Sequence, residues 1–158
     1  MRKLFSNKRL PIEKQILFKE ILANIKANSR FELNDNFIQH GKTTVKMHCI
    51  AVAYTALFIS YRLKLRVNEA ELIRGALLHD YFLYDWHERS LANMIHGYTH
   101  PGKALKQAMK DFDLSDTEKD MIKHHMFPLT ITPPKTTEGK ILCLADKLVA
   151  TKETIFRN

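Results

Sequence analysis

Apolar residues recur at helical spacing over nearly the whole chain, and no segment alternates apolar and polar positions for long enough to predict a strand. Leu10-Pro11-Ile12 opens a first helix, with proline in the first turn where its missing N–H costs nothing, and Ile16, Leu17, Ile21, Leu22 and Ile25 continue it. Phe31–Gly41 reads as irregular or as one short helix. Thr43 or Thr44 caps a long helix to about Leu65, apolar almost all round and therefore central and buried. Asn68, Glu69 and Glu71 start the next, which ends near His79-Asp80. Pro101 begins another, through about Phe112, while Gly97 and Pro101 argue against a continuous helix that would set His96 and His100 on one face. Ser115 with Glu118 forms a capping box for a helix through about His124. Pro128, Pro133 and Pro134 hold Met126–Thr137 as a loop, and a last helix spans about Glu138 to Ile155. The expected fold class is all-α, a compact single-domain helical bundle.

Composition narrows this without redirecting it. The 158 residues, 45% hydrophobic and 27% charged, suffice for one core, and five Gly, five Pro and two Cys exclude collagen-like, disordered and disulfide-stapled classes. Cys49 and Cys143 lie in apolar runs, where a thiol behaves as a small hydrophobe. Leu4-Phe5 is followed at once by Ser6-Asn7-Lys8-Arg9, so no targeting segment forms, and the most apolar stretch, Cys49 to Ile59, is closed by Arg62 and Lys64 before it could span a bilayer. A soluble, cytoplasmic protein with no membrane partner is expected.

The net charge of +8 invites a nucleic-acid reading, but its placement argues otherwise. Residues 1–30 carry +6 of it and residues 31–158 only +2. The expectation is therefore a basic arm and first helix over residues 1–30, packed on a near-neutral domain of residues 31–158, with nucleic acid an improbable partner.

The chemistry sits in the eight histidines and two of the aspartates. Asp146 lies inside the run Ile141-Leu142-Cys143-Leu144-Ala145-Asp146, where an unpaired buried carboxylate would cost several kcal/mol. One such residue is explained by a salt bridge. His48 among Cys49, Ile50, Val52 and Ala53 repeats the problem, and one such histidine is explained as a satisfied core residue. His79-Asp80 after Leu77-Leu78 is a third case on a third helix, and convergence on a metal explains all three together. The steps 48→79, 80→100, 100→125 and 125→146 are 31, 20, 25 and 21 residues, about one helix and a connection each. Histidine and aspartate without thiolate suit Fe, Mn, Zn or Ni, and the set exceeds what one tetrahedral ion needs.

Taken in order, His48-Cys49-Ile50-Ala51-Val52-Ala53, Gly75-Ala76-Leu77-Leu78-His79-Asp80, His100-Pro101-Gly102-Lys103-Ala104, Ile122-Lys123-His124-His125 and Leu144-Ala145-Asp146-Lys147 resemble the HD-domain metal-dependent phosphohydrolase superfamily. The pattern H…HD…H…H…D covers roughly residues 43–153, and with all its positions present it is most similar to the dinuclear branch, such as the small diadenosine tetraphosphate hydrolases. The resemblance implies His48, His79, Asp80 and Asp146 at one divalent transition-metal ion, and Asp80 bridging to a second held by His100 and His125, with His124 as the other reading of that pair. Fe or Mn is implied first, with Zn or Ni as alternatives.

The reaction so implied is hydrolysis of a phosphate ester or anhydride, with a nucleotide as the expected phosphorylated small molecule and a metal-bridging hydroxide as nucleophile. Asp80 and Asp146 are the expected catalytic carboxylates. Lys147 first, then Lys103, His96 and Trp86, are the candidates for binding substrate. In place of the Gly-Lys pair that many relatives carry after the HD motif, this chain has Tyr81-Phe82-Leu83-Tyr84-Asp85-Trp86-His87. The same ligand set also serves mixed-valent di-iron oxygenases of this superfamily. A non-catalytic nucleotide- or nucleic-acid-binding protein and a homo-oligomer are the remaining readings.

Overall fold

The computed structural model describes residues 9–83 and 96–156, and helices account for most of them. Pro11, extended at φ −55° and ψ 154°, precedes α1 (Ile12–Asn28). Phe18 and Ile25 are buried; Leu17, Ile21 and Leu22 pack against the core, whereas Ile16 is 50% exposed and lies off the buried face. A short 3-10 turn (Phe31–Asn36) follows and plants Phe31 fully in the interior.

The helix α2 (Val45–Arg62) is the centre of the molecule, packing against α3 (Glu69–Leu78), against the last helix, α6 (Thr137–Ile155), and against the 3-10 turn. Thr44 caps it by accepting from the Met47 N–H at 3.2 Å. Asn68 does the same for α3, accepting from Glu71 N–H at 3.2 Å. The capping box of α5 (Asp116–His124) is complete: Glu118 N–H donates to Ser115 Oγ at 3.1 Å and Ser115 N–H to a Glu118 carboxylate oxygen at 2.8 Å. Thr136 caps α6 by accepting from Gly139 N–H at 3.0 Å. Gly75 lets Met121 of α5 pack tightly on α3, since a Cβ there would lie 3.3 Å from Met121 Cβ and nearer still to its sulfur.

Two expectations fail locally. A two-stranded antiparallel hairpin, β1 (Ile38–His40) and β2 (Thr43–Thr44), stands where no strand was expected. Strands this short carry no readable alternation, and the turn rests on Gly41, whose φ of 59° is open to glycine at little cost. The helix α4 runs from His96 to Asp111 straight through Gly97 and Pro101. Pro101 therefore does not start it but lies inside it, near the amino end, where the ring gives up one main-chain bond. His96 and His100 consequently share one helix, although the His96 side chain lies outside the described residues. Among the described residues, no helix is long and apolar enough to cross a membrane.

One polar junction ties α1 and α4 to the chain just past α3. The Tyr81 hydroxyl donates to Asp111 Oδ2 at 2.5 Å and accepts from Arg30 N–H at 2.9 Å, and the Arg30 guanidinium grips both Asp111 oxygens at 2.9 and 3.1 Å. Burial opposes ionisation of Asp111, but Arg30 and Tyr81 more than offset it and hold its carboxyl below the ordinary value of 3.8. A depressed folded-state value stabilises the protein above the ordinary carboxylate range, and the contribution is lost as pH falls through it. Asp111→Asn is thus expected to destabilise at pH 7 and to lie closer to the wild type at pH 3, below the ordinary value of 3.8, in urea unfolding. A stability gap unchanged between the two pH values would rule the ion pair out as its source.

Candidate metal centre

Asp80 follows the end of α3, where Ala76, Leu77, Leu78 and His79 are all fully buried. Its carboxylate, 2% exposed, faces four imidazoles. Oδ2 lies 3.4 Å from His79 Nε2 and 3.8 Å from His48 Nε2; Oδ1 lies 3.2 Å from His100 Nε2 and 3.4 Å from His125 Nε2. Asp146 joins the first pair, with Oδ1 3.0 Å from His48 Nε2 and 3.6 Å from His79 Nε2. The six positions of the ordered motif thus come together from α2, α3, α4, the end of α5, and α6.

The histidine tautomers are set from behind. His79 Nδ1 donates to the Ala76 carbonyl at 2.7 Å and His125 Nδ1 to the Ile122 carbonyl at 2.8 Å, which leaves each Nε2 lone pair pointing inward. His79 is the first residue past α3 and His125 the first past α5, so both use carbonyls that the ending helix leaves unpaired.

This arrangement fits a cation. His79 Nε2 and Asp80 Oδ1 are buried with no hydrogen-bond partner, and the Nε2 atoms of His100 and His125 stand 2.8 Å apart, close enough to share one proton or one ion. Donor atoms held at about 2.1 Å from one ion lie roughly 3–3.4 Å from one another, the range of most separations here. His48, His79 and Asp146 form one group of atoms that could hold a metal, and His79, Asp80 and His125 another. With protons as the only cations, burial disfavours charged imidazole, yet Asp146 and Glu153 push His48 up to about 10, and Asp80 helps raise His79 well above its ordinary value. Asp80 and Asp146 are held correspondingly low against the cost of burial, by His79 and His100 in the first case and His48 and His79 in the second. Burial keeps His125 below its ordinary value, even beside Asp80.

The structure brings His125, rather than its neighbour, to Asp80; His124 turns away, its Nδ1 2.9 Å from Asp120 Oδ1. Lys147 is exposed on α6, its ammonium donating to the Cys143 carbonyl at 3.3 Å. Lys103 is half-buried on α4, one turn beyond His100. Trp86 lies outside the described residues, as do the first eight residues with their basic cluster.

Two contributors escape the motif. Gln39, on β1, donates its amide to Asp80 Oδ2 at 2.8 Å. Glu153, on α6, lies 2.9 Å from His48 Nδ1. Glu153 follows Asp146 by seven residues, two helical turns, and that spacing is visible in the sequence. Gln39 leaves no comparable trace, because a short hairpin brings it in.

An all-helical scaffold whose helices converge on a buried histidine and aspartate cluster defines a metal-binding bundle. The HD domain family model matches residues 45–151, and the chain belongs to this family of metal-dependent phosphohydrolases. Comparison with curated proteins and with solved structures gives no match.

Proposed function

We propose that this protein is a dinuclear metal-dependent phosphohydrolase. The observation that carries the reading is the split of Asp80, one oxygen toward His48 and His79 and the other toward His100 and His125. A carboxylate so placed would bridge one ion held with His48, His79 and Asp146 and a second held with His100 and His125. Two divalent cations would supply an acidified water and neutralise charge developing on a phosphoryl group.

The chain's own groups do the rest. Asp146, beside Asp80 but 13% exposed, is the carboxylate with access to solvent and is suited to accept the proton of the attacking water. Phe82, itself buried, stands edge-on to His100 with ring centroids 5.9 Å apart and helps to keep bulk water from that side of the cluster. The near-neutral body outside the first thirty residues leaves the ions themselves as the local positive charge for a phosphate. The substrate class that follows is a phosphate ester or anhydride, with nucleotides first.

Elemental analysis of protein purified without added metal is expected to return close to two transition-metal ions per chain, Fe or Mn before Zn or Ni. A panel of nucleotides, dinucleoside polyphosphates and simple phosphate esters is expected to release phosphate or a nucleotide product. Oxygen consumption on a polyol or phosphonate, with no phosphate ester cleaved, would replace the hydrolase reading with a di-iron oxygenase.

A further inference from the structure

We infer that Glu153 is a positioning residue of the metal centre, acting through His48; the inference rests on the proposed dinuclear reading. The imidazole of His48 is clamped at both nitrogens by α6. Asp146 Oδ1 stands 3.0 Å from Nε2 and Glu153 Oε2 stands 2.9 Å from Nδ1. The two carboxylates are seven residues apart, so one face of one helix presents both.

The need for a side chain at Nδ1 follows from where His48 sits. His79 and His125 stand just past helix ends and donate Nδ1–H to carbonyls that no helical N–H claims. His48 lies within α2, where the carbonyls one turn back already accept from the helix. Its outward nitrogen therefore needs an acceptor from another element, and Glu153 provides it with a side chain only 12% exposed. The carboxylate fixes the tautomer that directs the Nε2 lone pair inward, holds the ring plane, and raises the basicity of the ligand.

The cleft beside this contact supports the assignment. It encloses about 480 Å³, and His40, Lys42, Thr43, Val149, Lys152 and Glu153 are among its walls. His40 stands edge-on to His48 with ring centroids 5.7 Å apart. Water thus reaches the neighbourhood of Nδ1, and without Glu153 it would take over the hydrogen bond and leave the ring free to turn.

The test uses the full chain, stripped by chelation and titrated with Co²⁺, whose visible absorption reports coordination. Glu153→Ala is expected to weaken the His48-side equivalent about 10- to 100-fold and to alter its spectrum. Glu153→Gln, which keeps an acceptor but not the charge, should fall between Ala and wild type, and Glu153→Asp should recover part of the loss. Unchanged affinity and spectrum in both the Ala and Gln variants, with His48→Ala still losing that equivalent, overturns the role of Glu153 while leaving the dinuclear reading intact. A chain that binds no Co²⁺ at all overturns both. Loss of an additional equivalent in Glu153→Ala, with the other two undisturbed, overturns positioning as well, because His40, His48 and Glu153 would then be ligands in their own right.

Discussion

Asp80→Ala is expected to empty both metal positions at once and to lower hydrolysis by about 10³-fold or more, the scale of losing a central group of a catalytic site. In the proposed dinuclear reading the reason is geometric: this one carboxylate faces all four histidines, so its removal would strip a ligand from each ion and the bridge between them. Replacing His100 or His125 would remove a ligand from one side only, and should leave the other equivalent measurable. The charge matters separately from the shape. Asp80→Asn keeps the size of the side chain and one carbonyl oxygen, yet gives up the anion that offsets the cations, and it should resemble Ala in metal content more than wild type. Mass-spectrometric metal counts on folded protein, paired with turnover of whichever phosphate ester proves active, decide the matter. A variant that retains two ions and wild-type turnover removes Asp80 from the site.

The largest effect on stability is expected from Phe31→Ala, in a segment whose sequence promises little. Phe31 is fully buried, and its own N–H donates to Ser29 Oγ at 3.1 Å, so both side chain and backbone are committed. Deleting a buried aromatic ring costs about 3–5 kcal/mol in lost transfer energy and cavity. In a chain of this size each kcal/mol lowers the midpoint by roughly 2–4 °C, so a fall of about 6–20 °C is expected in thermal unfolding. Phe31→Leu, which fills more of the space, should lose less. Metal content per folded chain should survive, since Phe31 is no part of the cluster. A midpoint within a degree or two of wild type would mean that the 3-10 turn is not anchored by this ring.

The sequence carried much of this because the information was redundant where it was legible. Thr44, Asn68 and the Ser115–Glu118 pair announce helix starts through side chains that satisfy otherwise orphaned N–H groups. The cluster was legible for the opposite reason: His48, His79, Asp80 and Asp146 are polar groups in apolar runs, and each is difficult to explain alone. What stayed hidden depends on contacts between distant segments. Whether His124 or His125 faces inward is decided by where α5 stops, a matter of one residue. The continuity of α4 through Pro101 overrides a local preference. Gln39 reaches Asp80 only because the hairpin at Gly41 folds back over α2. Glu153 had a visible spacing from Asp146, but it stands in a mixed polar stretch where a carboxylate raises no question.

The backbone acceptors behind His79 and His125 have a consequence for how such a site can change. No substitution can delete the Ala76 or Ile122 carbonyl, so the orientation of those two rings is immune to point mutation except through the length of the helix before them. His48 has no such insurance. Its outward partner is a side chain that a single codon can remove, and in the proposed dinuclear reading the ion position it would serve is the one a descendant of this chain could lose by drift while the other persisted.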